Sequence, residues 1–378
     1  MRTKSYKYTY NQWSEPFDPT LDSESTAVFV FFESTLVVDE QIKKIKDTFP
    51  KSKILGSSTS GEIQNAEIND NSIICMVIKF DHTRLKLVST PVNFETSLQA
   101  GKNLAEALAA PDLKNIVLLT EGLDVDGSEL IKELDQALKN KNINTSIVGG
   151  MAGDGSRFIN TFLINDTSVK THQAVALGLY GEKVQMFSGT GTGWAPFGPL
   201  RYVTKAERNT VFEIDGVPAL KLYKEYLKED AQNLPVSGVL FPLGISWGEN
   251  ENIVRSVARI DESNNALIFA SKIPEKTQVQ LMHSNVMKLI GAAEDALKDC
   301  SLNFTNGQST AALIISCIGR RMIMGQKTED EISIIKELLP NHAEICGFYS
   351  YGEYSPTASK RNELHNQTMT LIVFQEGS

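Results

Sequence analysis

The sequence predicts an α/β protein of two related domains, each of mixed β-sheet flanked by helices. Three observations predict it. Short apolar runs alternate with stretches of helical periodicity. The succession of strand, amphipathic helix, strand and glycine turn occurs three times. The 378 residues also exceed one ordinary core, since a domain usually holds ~150.

The first unit, at roughly 26–62, opens with TAVFVFF. A helix, DEQIKKIKDTF, comes next with Ile42, Ile45 and Phe49 on one face, and the strand KIL then leads into the turn GSSTSGE. The second, at 115–154, runs through NIVLLTEG, a helix with Leu130, Ile131, Leu134 and Leu138, and TSIV into GGMAGD. The third, at 311–353, runs through AALIISCIG, a helix with Ile332, Ile335 and Leu339, and AEIC into GFYSYGE. A further apolar strand comes after the first and third units, SIICMVIKF and TMTLIVFQ, and an alternating segment, HQAVALGLYG, follows the second. Residues 184–273 read as strand-rich, and a long amphipathic helix is expected over about 277–299. The domain division is placed at 1–212 and 213–378, with two units in the first domain and one in the second.

Helix starts explain the acidic clusters. Asp126 with Glu129, and Thr328 with Glu331, have the spacing of a capping box. A net charge of −9 without a basic block argues against nucleic acid. The first residues lack an apolar signal core, and no run reaches the ~20 residues that span a bilayer. Four cysteines without a CxxC fit a reducing cytosol and offer no structural zinc site. The expectation is a soluble, cytoplasmic protein.

Loops at the carboxyl ends of strands form the ligand crevice in open α/β sheets, which makes the three turns the candidate site. Glycine brings backbone N–H groups close to a ligand. A carboxylate after the second glycine makes a poor phosphate cradle, and no turn continues as GK[ST], so a P-loop is excluded. GTGTGW at 189–194 does not complete a dinucleotide fingerprint.

The strings ILGSSTSGEI (54–63), SIVGGMAGDG (146–155), GTGWAPFGPLRYVTKAERNTVFEIDGVPAL (191–220), SCIGRR (316–321), CGFYSYGEYSP (346–356) and ELHNQT (363–368) carry a resemblance over nearly the whole chain. Together and in this order they resemble the FIST N-terminal and C-terminal domains. The resemblance implies a sensory, small-ligand-binding module of signal transduction, with amino acids as suggested ligands. It also implies a partner such as a histidine kinase, a cyclic-di-nucleotide enzyme or a chemotaxis component. No sequence is left over for such a module, so a stand-alone sensor is expected. Some members of the family are described as haem-containing nitric-oxide sensors, which makes non-covalent haem the alternative to a cofactor-free protein. A scaffold that works only through partner contacts is the second alternative.

The expected ligand-binding residues are Ser58, Thr59, Ser60 and Glu62 of the first turn and Met151 and Asp154 of the second. Tyr349, Tyr351 and Glu353 of the third, Trp194 and Phe197 of the loop GWAPFGP, Arg320 and His365 complete the set. Glu62 and Glu353 serve as acceptors for an ammonium or hydroxyl, or else satisfy local backbone. Arg320, expected at a strand end, clamps a carboxylate bidentately or pairs with a neighbouring acid. With Glu353 it forms the expected jaws for an amino acid. The three turns and the GWAPFGP loop are expected to share one pocket.

Among the histidines, His283 is read on a helical stripe with Met287 and Ile290, where it either ligates haem iron or flanks the core. His365 is read as orienting a loop or ligand. His342 and Cys346 lie four residues apart, ~13 Å along a strand, too far for a nucleophile and its base. Cys317 and Cys346 read as inert core residues. No motif indicates catalysis or a metal site, and the protein is expected not to be an enzyme.

Overall fold

The computed structural model describes residues 1–246, 252–300 and 308–377. The fold is α/β, as the alternating patterns predict. The three repeats form three sheets of one plan. In the first, Thr26–Glu33 and Lys53–Thr59 run parallel, connected by the helix Asp39–Thr48, and Ile73–Lys79 pairs antiparallel on the other side of Thr26–Glu33. In the second, Leu113–Thr120 lies between parallel Ser146–Met151 and antiparallel Gln173–Tyr180, with Gly127–Lys139 as the helix. In the third, Ala311–Cys317 lies between parallel Glu344–Ser350 and antiparallel Met369–Glu376, with Thr328–Leu338 as the helix.

The short strand after each turn builds the assembly. At that point the chain leaves its own sheet and adds to a neighbour's. Glu62–Gln64 joins the third sheet beside Glu344–Ser350, Leu163–Asn165 joins the first beside Lys53–Thr59, and Glu353–Pro356 joins the second beside Ser146–Met151. The exchange is cyclic and closes on itself.

The central strands are buried along nearly their whole length, as in sheets covered on both faces. Their inner faces merge in one core, where Phe31 stacks on Phe348 at 4.6 Å and Phe29 on Phe374 at 6.2 Å. The outer faces are covered by helices. Ile42 and Ile45 serve the first sheet, Leu130 and Leu134 the second, and Ile332 and Ile335 the third.

Between the second and third units, an eight-stranded antiparallel body forms around its own core of Val203, Val211, Leu220, Tyr223, Leu267 and Phe269. Residues 212 and 213 lie within its strand Thr210–Ile214, and the pairing of Glu62–Gln64 with Glu344–Ser350 runs across the sequence division at that point.

Three local expectations need correction. Residues 277–299 are not one helix: Gln278–His283 is a strand, and the helix Val286–Asp299 starts after Asn285, whose side chain caps the Lys288 N–H. QVQLMH alternates with period two, burying Val279 and Leu281, and the polar Ser284–Asn285 pair ends it. Met287 is accordingly exposed, and no His283 stripe exists. Arg320 does not end a strand but sits in the helix Ile318–Met324. Asp126 caps the Glu129 N–H as expected, whereas Glu331 forgoes capping for a buried ion pair.

Candidate functional site

The three turns meet. Ser60 N–H donates to Tyr349 O at 2.8 Å and Tyr349 N–H to Gly61 O at 2.9 Å, joining the first turn to the third. Gly153 N–H donates to Ser58 O at 3.0 Å, joining the second to the first. Met151 N–H donates to Gly352 O at 2.8 Å, joining the third to the second. Two glycines permit this approach. A Cβ on Gly153 would stand 2.4 Å from Ser60 Oγ, and Gly61 adopts φ +126°, where L side chains are strained.

Hydroxyls fasten the hub further. Ser58 Oγ donates to Gly153 O at 2.8 Å, and Ser60 Oγ lies 3.2 Å from Gly155 O. The two glutamates are held by the same device. Glu62 accepts from Thr59 Oγ1, three residues before it, and from Ser72 Oγ at 2.6 Å. Glu353 accepts from Ser350 Oγ, again three residues before it, at 2.6 Å, and from Thr368 Oγ1 at 2.8 Å. Ser72 and Thr368 each precede the antiparallel strand of their own unit.

Both glutamates are fully buried. Burial pushes the Glu62 carboxyl up to about 8, against the pull of the Ser72 and Thr59 hydroxyls. Burial likewise raises Glu353 to about 7, with Ser350, Thr368 and the Arg320 charge opposing it. Asp154 behaves in the opposite way. Burial would raise it, but the Tyr351 hydroxyl and the N–H groups of Phe158, Ile159 and Asn160 outweigh that and hold it below the usual range. The Tyr351 ring stacks on half-exposed Phe158 at 4.8 Å.

Arg320 and Glu353 do not form jaws. Arg320 is fully buried, and its guanidinium is spent on partners within the protein. Nε and Nη2 reach Glu331 at 3.3 and 2.8 Å, Nη2 also reaches Leu289 O at 2.7 Å, and Nη1 reaches Thr192 O at 2.9 Å. Glu331 also accepts from Ser316 Oγ and the Tyr349 hydroxyl. The neighbouring Arg321 is the arginine that touches a turn, donating to Ser60 O at 2.6 Å and forking onto Asp70. Nothing in the dipeptide Arg320–Arg321 distinguishes the two beforehand. Ser72 and Thr368 were also missed, although both lie at the strand starts that the pattern locates.

The GWAPFGP loop divides. Trp194 is buried and donates its indole N–H to Gln367 O at 3.2 Å. Phe197 points elsewhere, edge-on to the His283 ring at 5.7 Å. His365 Nε2 lies 3.2 Å from Ser355 O, while exposed His342 contacts Gln308 O. All four cysteines are buried, and burial raises their thiols. Among the described residues no cluster of three metal-ligating side chains occurs, and no helix is long and apolar enough to cross a membrane.

The ELHNQT segment joins the hub to the antiparallel body. Towards the body, Leu364 O accepts from buried Arg255 at 2.8 Å, Asn366 Oδ1 from Ser271 at 3.3 Å, and Gln367 donates to Val239 O at 3.2 Å. Towards the hub, Thr368 holds Glu353, and Asn366 Nδ2 reaches Tyr351 O at 3.5 Å. The antiparallel body carries an apolar cleft whose lining includes Phe197, Arg201, Leu222, Tyr226, Val279 and Leu281.

Comparison with known proteins finds the FIST N domain over residues 26–217 and the FIST C domain over 219–356. An uncharacterized protein of Methanocaldococcus jannaschii is 24% identical, over 92% of this chain and 74% of its own length. An uncharacterized protein of Mycobacterium bovis is 28% identical, over 61% of this chain and 60% of its own length. Among solved structures, a cyanuric acid hydrolase from A. caulinodans aligns over 100% of this chain and 99% of its own, with a TM-score of 0.39 and 6% identity.

Proposed function

This chain belongs to the FIST family, whose domains are associated with signal-transduction sensing, and we propose that it is a stand-alone cytoplasmic sensor of a small polar ligand. Its occupancy is passed to a separate signalling protein, such as a histidine kinase, a cyclic-di-nucleotide enzyme or a chemotaxis component. The observation that carries the reading is the double attachment of residues 363–368. One side of this segment bonds the cleft-bearing body and the other bonds the carboxylate and tyrosine of the third turn. A ligand that favours one placement of the body therefore has a packed, hydrogen-bonded route to the hub. Coupling of this kind requires the ligand to bind one state better, by ~1–3 kcal/mol in ordinary cases.

The turn residues serve this reading as the responding element. Their polar groups are closed on one another, and Arg320 is committed to Glu331, so a ligand carboxylate has no free clamp between Arg320 and Glu353. The FIST N and FIST C matches meet at residues 217 and 219, a few residues beyond the proposed division at 212/213. A thermal-shift screen of amino acids and small carboxylates tests the function, because occupancy at ~100 times Kd adds ~2.7 kcal/mol of stability. A screen in which none of them raises the melting temperature would count against a small polar ligand.

A further inference from the structure

We propose that the cleft of the antiparallel body binds a small monocarboxylate with an apolar body, such as an aryl-acetic acid, between Phe197 and the Arg201–Tyr226 pair. The proposal gives the ligand class and seat of the sensor reading above and rests on its ligand-binding half.

The cleft is made by an irregularity in the sheet. In strand Ala195–Glu207, Phe197 stands opposite Leu281 and Arg201 opposite Val279, so the strand takes four steps where its partner takes two. Gly198 takes φ +76° in this bulge, and Gln280 Nε2 ties its carbonyl at 2.6 Å. Bulges of this kind re-aim side chains and recur beside binding sites. Here Phe197 and Arg201 come to line one depression whose floor is Ile214, Leu222, Val279 and Leu281.

The walls are apolar. Phe197, 51% exposed, and Pro199 come from this one strand, and Tyr223 and Leu243 complete the lining. The enclosed space is only about 30 Å³ and the cleft is open to solvent, so it seats one face or edge of a single ring and no larger body.

The polar groups specify the other end of the ligand. Arg201 gives Nε and Nη2 to the Tyr226 hydroxyl at 3.1 and 2.6 Å and Nη1 to Asp215 at 3.0 Å. Two of its five N–H groups remain. The Tyr226 oxygen, accepting twice from Arg201, keeps its own proton to donate. Three donors at the rim of an apolar cleft match an end group that only accepts, and a carboxylate is the small organic group that does so most strongly. Asp215 offsets much of the guanidinium charge, so selection rests on directed hydrogen bonds and disfavours an ammonium.

The test is calorimetric titration of the full chain with phenylacetate, phenylacetamide and phenethylamine, on the wild type and on Arg201→Gln, Tyr226→Phe and Phe197→Ser. Phenylacetate should bind, the amide more weakly and the amine not at all. The Arg201 and Tyr226 variants should each weaken phenylacetate roughly 10- to 100-fold while their unliganded melting temperatures stay near that of the wild type. Equal binding of the three probes, or phenylacetate binding that survives both polar substitutions, overturns the proposal. So does a concentration-dependent dimer abolished by Phe197→Ser, which would make a second copy the occupant. If the broader ligand screen yields a compound whose binding ignores all three substitutions, this seat is refuted and the sensor reading stands. If no compound binds at all, both fail.

Discussion

Replacing Arg320 with methionine separates a structural arginine from a ligand clamp. The side chain is fully buried and its Nη2 lies 2.8 Å from Glu331 Oε2 in an equally buried pair. Methionine fills much of the volume but leaves the Glu331 carboxylate with only the Ser316 and Tyr349 hydroxyls, and it strips the Thr192 and Leu289 carbonyls of a donor. Leaving one buried charge uncompensated costs ~3–5 kcal/mol. Urea denaturation without ligand should show a loss of this size for Arg320→Met. Glu331→Gln should show a comparable loss, because it leaves the guanidinium unpaired. The pair Arg320→Met with Glu331→Leu should recover a large part of it, since two apolar groups of similar volume need no compensation. Glu353→Gln should cost far less, because burial raises the Glu353 carboxyl towards its neutral form, which the amide resembles. An Arg320→Met protein as stable as wild type that had lost all ligand response would refute this reasoning and restore the arginine as a clamp.

Two further outcomes concern the hub. Glu62 and Glu353 rise in the fold from 4.5 to about 8 and about 7, so the folded state holds protons that the unfolded state has released. Their stabilisation is complete below pH 4.5 and declines as pH rises through 7 and 8, and paired Glu62→Gln and Glu353→Gln substitutions should flatten that decline in thermal melts between pH 5 and 8.5. Gly153→Ala drives a Cβ to 2.4 Å from Ser60 Oγ and 3.1 Å from Ser60 N, and a loss of ~1–3 kcal/mol in denaturant titration is expected. An unchanged midpoint would mean that the first two turns do not abut.

The repeated units are legible in the chain because each is written in local periods. The strand run TAVFVFF, the helical spacing of Leu130, Ile131, Leu134 and Leu138, and the glycines at the strand ends all declare themselves within a few residues. The cap at Asp126 was legible for the same reason. The destinations of the strands after the turns are visible only in the folded molecule. Glu62 pairs with Phe348 across almost three hundred residues, and no local pattern encodes such a partner. That exchange closes the turns into a buried hub, and burial in turn lifts Glu62 and Glu353 towards neutrality. The choice between Arg320 and Arg321 was also made there: rotation by one residue on the helix Ile318–Met324 sends one inward to Glu331 and the other to Ser60 and Asp70. The chain marks its elements through short-range periodicity, whereas charge, burial and hydrogen-bond partnership depend on which distant segments come to lie beside them.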